Sequence, residues 1–252
     1  GSSSGTRAVT VNANDYETIN VASSGTAGNT VTIGATQAGT ETVAAKDLAA
    51  TDSIALTGIT VTGSKSVTVN ATSNALSLAS VDASGFTGDT FSFSGSSAST
   101  KAITVKANGA YGATITTAKG ADTITLGDPG PSSGHNVSAG DGADTITSGA
   151  GNDTIAGGDG NNVILGGAGD DTISGSTGTA ATGDDWFKGE AGADSLSGGA
   201  GADTLEGGDG NDTILGGAGA DSILGGDGTD SILSGSGSDF VSGGAGADTI
   251  DG

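Results

Sequence analysis

The sequence predicts an all-β protein built as a β-solenoid, and two observations lead to that prediction. Between residues 117 and 252, a nine-residue repeat, Gly-Gly-x-Gly-x-Asp-x-U-x with a large apolar residue at U, recurs thirteen times. Residues 1–116 instead carry short runs rich in Thr, Val, Ile and Ser, separated by Gly, Asn, Asp and Ser. Neither part shows the 3.6-residue periodicity of a helix. We therefore predict two domains, 1–116 and 117–252.

The first domain is predicted to be a Thr/Ser/Val-rich β domain. Its runs alternate in the way that half-buried strands do. Two architectures suit them, a solenoid whose coils lead into the repeats and a β-sandwich beside them. Ile115 and Ile124 continue the spacing of the later apolar residues, which favours the solenoid. The runs are 8–11, 18–21, 30–33, 66–69, 91–93 and 103–105.

In the second domain each repeat is predicted to supply one turn and one short strand. In repeats 198–206, 207–215 and 216–224, six residues with three glycines allow a tight turn, and Asp-x-U-x follows as a strand. Two repeats make one coil, with its turns on opposite edges and its strands on opposite faces. Turns two repeats apart therefore stack on the same edge, about 4.8 Å apart.

The apolar position U is predicted to form the core, because it is never polar. One large side chain in nine residues buries too little area to offset the chain entropy of so many glycines. A further interaction must therefore hold the turns. The predicted inward residues are Ile146, Ile155, Ile164, Ile173, Phe187, Leu196, Leu205, Ile214, Ile223, Ile232, Val241 and Ile250.

Aspartate at the sixth position is predicted to supply that interaction. Stacked carboxylates repel one another unless a divalent cation lies between them, with glycine carbonyls as further ligands. Calcium suits an all-oxygen, flexible site, whereas zinc prefers nitrogen or sulfur. We therefore predict a calcium-binding parallel β-roll with up to about ten sites. The predicted ligands are Asp122, Asp144, Asp153, Asn162, Asp171, Asp185, Asp194, Asp203, Asp212, Asp221, Asp230, Asp239 and Asp248.

The charge distribution agrees with a cation-binding array. Residues 117–252 hold 22 acidic residues against Lys119 and Lys188, and so contribute −20 of the net charge of −22. Folding of this part is expected to require calcium, and acid is expected to release the ions and melt the roll. So acidic a surface repels phosphate, which excludes nucleic acid as a partner.

Two repeats are longer than nine residues. Residues 175–188 contain five extra residues, which are expected to bulge from one turn while the following strand returns in phase. Residues 126–138 contain both prolines, and His135 then stands in the aspartate position. We interpret His135 as a turn residue rather than a metal ligand or catalytic base, because no partner is recognisable nearby in sequence.

The sequence offers no catalytic constellation, so we expect no enzyme activity. Residues 1–5 match Gly-x-Ser-x-Gly, but the strand-turn-helix context that positions such a serine is missing. The chain has no cysteine, which fits an exported bacterial protein that does not depend on disulfides. It has no apolar stretch long enough to span a bilayer, so we expect no transmembrane segment.

The repeat array over 117–252 resembles the RTX, or hemolysin-type calcium-binding, proteins of Gram-negative bacteria. Those proteins leave the cell unfolded through a type I exporter and fold on meeting external calcium. The Thr- and Val-rich first half, with its segment 81–88, looks most like RTX surface-layer (S-layer) proteins, which coat the outer membrane. The resemblance implies that the aspartates named above bind calcium, and that Asn162 and His135 mark weaker or missing sites. The C-terminal secretion segment of the family is not present and Gly252 would open another repeat, so we expect a longer protein.

The same resemblance implies a secreted structural protein of the cell surface. Its partners would be copies of itself in a lattice, and cell-surface polysaccharide contacted through regions outside this chain. Two alternatives stay open. The chain could be an adhesin or stalk segment, or it could be the secretion and folding module of an RTX protease, lipase or toxin.

Apolar residues beside the inward positions are the sequence feature that favours lateral assembly. Side chains there should point outward, and repeats two apart share a face, so Leu215 is expected to lie beside Leu233 on one face. Such residues could form lateral contacts, or could only shield strands and raise β-propensity. The residues are Leu165, Leu215, Leu224, Leu233 and Phe240.

Overall fold

The structure is a computed structural model of the chain. It describes residues 8–13, 18–21, 29–35, 40–45, 56–63, 66–71, 78–87, 90–95, 99–108, 112–128, 133–176 and 183–252. Their regular structure is all β, and no helix in these ranges is long and apolar enough to cross a membrane. The serine pattern at 1–5 and segments 129–132 and 177–182 of the two long repeats lie outside the described residues.

The described residues form 24 strands in two sheets of twelve, and the chain alternates between the two sheets. Sheet A, in spatial order, contains β1 (Ala8–Ala13), β3 (Asn29–Ala35), β5 (Leu56–Gly63), β7 (Ser80–Phe86), β9 (Thr104–Ala107), β11 (Thr123–Leu126), β13 (Thr145–Ala150), β15 (Val163–Ala168), β17 (Trp186–Ala191), β19 (Thr204–Asp209), β21 (Ser222–Asp227) and β23 (Phe240–Ala245). Sheet B contains β2 (Thr18–Val21), β4 (Thr40–Ala45), β6 (Ser66–Ala71), β8 (Phe91–Ser94), β10 (Thr114–Thr116), β12 (Asn136–Asp141), β14 (Thr154–Asp159), β16 (Thr172–Ser174), β18 (Ser195–Ala200), β20 (Thr213–Ala218), β22 (Ser231–Ser236) and β24 (Thr249–Asp251).

This topology is a β-solenoid, because each coil adds one parallel strand to each sheet. The N-terminal strands belong to the same two sheets as the repeats, so the predicted solenoid is confirmed and the sandwich alternative does not occur. The boundary between residues 116 and 117 stays a prediction from composition.

The insertions leave the strand register unchanged. After the fourteen-residue repeat, Val163 of β15 pairs with Trp186 of β17, and Ile164 pairs with Phe187. After the thirteen-residue repeat, Ile115 of β10 pairs with Val137 of β12. The strands therefore return in phase, as the sequence predicted.

The turns are shorter than predicted. Each regular strand runs from the seventh position of one repeat to the third of the next, so β20 includes Gly216 and Gly217. Only Gly-x-Asp is left for the turn. Gly217 and Gly219 adopt φ of 119° and 145°, where a side chain would be strained, and a Cβ on either would clash with a carbonyl of the coil before it. Gly217 and Gly219 thus allow neighbouring coils to stack closely, and they also allow the chain to turn.

The predicted inward residues form the core of the roll. From Ile146 to Ile232 they are at most 2% exposed, and Ile115 and Ile124 are equally buried. Val241 is partly buried and Ile250 is 50% exposed, in contrast to the prediction, because they lie in the edge strands β23 and β24.

A second inward position follows two residues later on each strand, and its side chain changes along the chain. In sheet A it holds Ala83, Ala107, Leu126 and Ser148 in successive strands, and then Gly166. All five are buried. In sheet A the coils before residue 149 therefore fill this place with side chains, whereas the strands from β15 onward have glycine there.

Candidate metal centre

The sixth-position side chains form two ladders, one along each edge of the roll. In each ladder, Oδ1 of one aspartate accepts a hydrogen bond from the backbone N–H of the residue one coil earlier. Asp194 N–H donates to Asp212 Oδ1 over 2.8 Å, and Asp212 N–H donates to Asp230 Oδ1 over 2.9 Å. The first ladder contains Asp122, Asp144, Asn162, Asp185, Asp203, Asp221 and Asp239. The second contains His135, Asp153, Asp171, Asp194, Asp212, Asp230 and Asp248.

The structure thus brings every predicted ligand into one of two regular rows, as the stacking argument required. All except Asp239 and Asp248 in the last coil are buried. Their role as ligands stays a prediction, since hydrogen bonding alone accounts for only one of the two carboxylate oxygens.

The other oxygen, Oδ2, has no hydrogen-bond partner at nine of these aspartates, although it is buried. A buried carboxylate oxygen without a partner is costly, so each of these atoms requires a cation or a proton. The nine are Asp122, Asp144, Asp153, Asp171, Asp194, Asp203, Asp212, Asp221 and Asp230.

A buried glycine leaves room beside each Oδ2 along the regular stretch. A Cβ added to Gly207 would clash with Asp212 Oδ2 and would lie 2.6 Å from the carbonyl oxygen of Gly225, one coil later. The space next to Gly207 is therefore lined by one carboxylate oxygen and one carbonyl oxygen. The same pairing of Oδ2 with a carbonyl of the next coil recurs at Gly166, Gly175, Gly189, Gly198, Gly216 and Gly225.

The carboxylate and carbonyl oxygens beside these glycines are suitable ligands for calcium. Both are hard oxygens, and calcium accepts carboxylate and carbonyl ligands together in flexible geometry. No three His, Cys, Asp or Glu side chains gather into a metal-binding group anywhere in the described part of the chain. Side chains alone would therefore not complete such a site, and backbone carbonyls must supply the remaining ligands.

Burial also changes the acidity of the ladder. Burial, with a smaller contribution from neighbouring carboxylates, outweighs the lowering by backbone N–H donors and raises the pKa of Asp171 and Asp185 to about 7. The pKa values of Asp144, Asp194 and Asp203 are raised to about 6, again chiefly by burial. In the folded state these carboxyls hold protons more tightly than ordinary aspartates, so calcium competes with protons for them below about pH 7.

The role of the first-position glycine was not predicted from the sequence. The sequence does show a change at this position that could have indicated the role. It holds Thr117, Ala139 and Ser148 in early repeats and glycine in nearly all later ones. The close approach of an Oδ2 and a carbonyl oxygen to this glycine is therefore regular only from Gly166 onward.

Substitution of Asp212 by Ala is expected to lower both calcium affinity and stability. The change removes the buried Oδ2 and leaves the N–H of Asp194 without its acceptor, which costs about 1–3 kcal/mol before any loss of calcium. Asp209→Ala is the matched control, because Asp209 is exposed at the end of β19 in the same repeat and should change stability by less than about 0.5 kcal/mol. Calcium titration with thermal melts measures both variants. Equal effects would show that the ligand register is wrong.

Comparison with known families agrees with this geometry. Residues 138–252 match the family model of the RTX calcium-binding nonapeptide repeat, in overlapping segments 138–173, 147–180, 179–214, 197–232, 206–241 and 224–252. No curated protein gives a significant match to the chain. The family binds multiple calcium ions, in agreement with the oxygen-lined spaces beside the ladders. Residues 138–252 of this chain are therefore RTX calcium-binding nonapeptide repeats.

Proposed function

We propose that this chain is a secreted structural protein that folds on calcium after type I export and assembles side by side as a subunit of a bacterial S-layer. RTX repeat proteins are typically secreted, which supports the extracellular location. The proposal assigns the chain no catalytic role. Attachment to cell-surface polysaccharide would involve regions outside this chain.

The observation that carries the assembly step is a set of exposed apolar side chains on the outer faces of the sheets. On sheet B, Leu215 and Leu233 are register partners and are 40% and 47% exposed. On sheet A, Leu224 is 41% and Phe240 is 70% exposed, whereas Leu165 is half-buried and contributes less than expected. A solvated roll gains nothing from such exposure, but a lateral contact between rolls would bury it.

Calcium would make that contact possible in two ways. It would order the acidic coils that carry Leu215, Leu224 and Leu233. It would also neutralise much of the −20 charge that otherwise keeps two rolls apart. Assembly is therefore expected to need calcium at a concentration that first completes folding.

The experiment is calcium titration of the purified chain, followed by light scattering and electron microscopy. We expect monomers in chelator and ordered arrays at millimolar calcium. Leu215→Ser with Leu233→Ser should abolish the arrays while calcium-dependent folding persists. The matched control is Thr154→Ser with Thr172→Ser, an exposed register pair elsewhere on sheet B, which should assemble normally.

A wild type that folds but stays monomeric at millimolar calcium would contradict the S-layer proposal. The adhesin or stalk segment and the secretion and folding module of an RTX protease, lipase or toxin would then be the better candidates. Assembly that survives the double leucine substitution would instead show that another surface makes the contact.

A further inference from the structure

Two positions in the ladders hold nitrogen-bearing side chains in place of aspartate. Asn162 belongs to the first ladder and His135 to the second. Each accepts the hydrogen bond that an aspartate Oδ1 would accept. Asp144 N–H donates to Asn162 Oδ1 over 3.0 Å, and Ala113 N–H donates to His135 Nδ1 over 2.8 Å. Both residues therefore keep the ladder continuous.

The second polar atom of each side chain is a donor. Asn162 Nδ2 donates to the carbonyl oxygens of Gly158 and Gly160, over 3.3 Å and 3.0 Å. His135 Nε2 lies 2.8 Å from the carbonyl oxygen of Gly127. Because His135 Nδ1 accepts a hydrogen bond, the ring proton is on Nε2 and donates to Gly127.

The two donors reach equivalent carbonyls. Gly158 is the second residue of its repeat, and the pairing of Thr125 with Thr147 places Gly127 at the same position as Gly149, which is also the second residue of its repeat. At the nine aspartates described above, the corresponding atom is instead an unpartnered Oδ2. A carboxylate oxygen and a carbonyl oxygen attract each other only through a cation or a proton, whereas an N–H binds the carbonyl directly.

We propose that His135 and Asn162 replace calcium with hydrogen bonds, so that these two turns bind no ion and are held together without one. The N–H group of each side chain interacts with the carbonyl oxygen that a cation would bind at the aspartate turns. A calcium ion placed there would face an N–H group and would compete with it for the same carbonyl. The N–H groups at these two turns are not calcium ligands, whereas the carboxylate oxygens at the aspartate turns are suitable ones.

The position of His135 suggests why the replacement occurs where it does. The register position that carries the second ladder can be followed back through the earlier coils of sheet B. It holds Val67, Phe91 and Ala113 there, then His135, and then Asp153. His135 accepts from Ala113 and donates its own N–H to Asp153 Oδ1 over 2.6 Å. It therefore joins the apolar coils to the first aspartate of that edge without an ion between them.

Reciprocal substitutions test the proposal by counting ions. Asn162→Asp should bind at least one more calcium ion per chain than the wild type, because it creates an unpartnered Oδ2. Asp212→Asn should bind at least one fewer, because its amide can donate to the carbonyl oxygens of Gly208 and Gly210 and leaves no unpartnered Oδ2. Isothermal titration calorimetry and native mass spectrometry give the stoichiometry. An Asn162→Asp variant with the wild-type ion count would overturn the proposal.

A second measurement on the wild type decides the question even where a variant fails to fold. Crystals grown with calcium, or soaked with terbium, should show anomalous density beside Asp171, Asp194, Asp203 and Asp212. None should lie within about 2.6 Å of Asn162 Oδ1 or of a His135 ring nitrogen. An ion in either place would overturn the assignment.

Discussion

At pH 8, where the ladder carboxyls have released their protons, removal of calcium is expected to unfold the coils after about residue 148 and to leave the coils between residues 58 and 126 folded. Strands β5 to β9 bury two or three apolar side chains each, as in Val67 and Val69 of β6 or Phe91 and Phe93 of β8. The later strands bury one aliphatic or aromatic residue beside glycine and carry the charged ladders. Without calcium, the later coils therefore combine little hydrophobic burial with strong repulsion.

Hydrogen exchange of the full chain measures this boundary. In calcium-free buffer at pH 8, peptides from 58–126 should stay protected and peptides from 157–252 should exchange as unfolded chain. Excess calcium should protect both. Magnesium at equal ionic strength is the control, because it screens charge but prefers a rigid octahedral site, so it should not restore protection. Uniform protection in chelator would show that the aspartate coils do not depend on calcium.

Partial unfolding of this kind suits a solenoid because each coil contacts only its neighbours. The folded N-terminal coils would then present an open strand edge on which the next coil can pair. His135 and Asn162 lie near that boundary, and their hydrogen bonds do not depend on an ion. The coils that hold these two residues are therefore expected to order at lower calcium than the coils from residue 198 onward.

The repeat spacing was sufficient to predict stacking. A constant offset of two repeats places Asp194, Asp212 and Asp230 in one row whatever the local turn geometry. The apolar residue at every eighth place likewise identified the core from Ile146 to Ile232. These features follow from periodicity alone, and the two insertions lie between strands that keep their register, so they did not disturb them.

Features that depend on atomic contacts were not predicted. The strands extend through the glycine pair because a buried Gly207 leaves room for Asp212 Oδ2, and glycine gives no strand signal in sequence. His135 was interpreted as a turn residue without a partner, but both ring nitrogens are hydrogen-bonded to residues far away in sequence. In each case the partner is brought close only by the stacking of coils.

The metal-free roll is expected to become more stable as pH falls from about 7 towards 5. The folded pKa of Asp171 and Asp185 is raised to about 7, whereas an aspartate in the unfolded chain titrates near 3.9. Between those values the folded state binds more protons than the unfolded state, so stability decreases as pH rises through this window. A protonated Oδ2 can donate to a carbonyl, as the amide of Asn162 does. The expectation that acid releases the ions and melts the roll applies to the calcium-loaded state and stays a prediction.

Bound calcium reverses this dependence of stability on pH. A carboxylate that binds calcium has a lowered pKa, so the calcium-loaded roll gains stability above the unfolded value near 4 and loses its ions as pH falls through the folded one. Calcium affinity is therefore expected to rise steeply between about pH 6 and 7, where Asp144, Asp171 and Asp185 release their protons.

Circular dichroism melts in resin-treated, calcium-free buffer from pH 5 to 8 measure the metal-free trend. The lower limit stays above the isoelectric point of about 4.1, and light scattering excludes precipitation as the cause of any change. Asp171→Asn with Asp185→Asn should flatten the dependence, because an amide keeps the acceptor and carries its own donor at every pH. Asp209→Asn, at an exposed position, should leave it unchanged. A metal-free melting temperature that rises with pH in the wild type would show that protons do not replace calcium in the ladders.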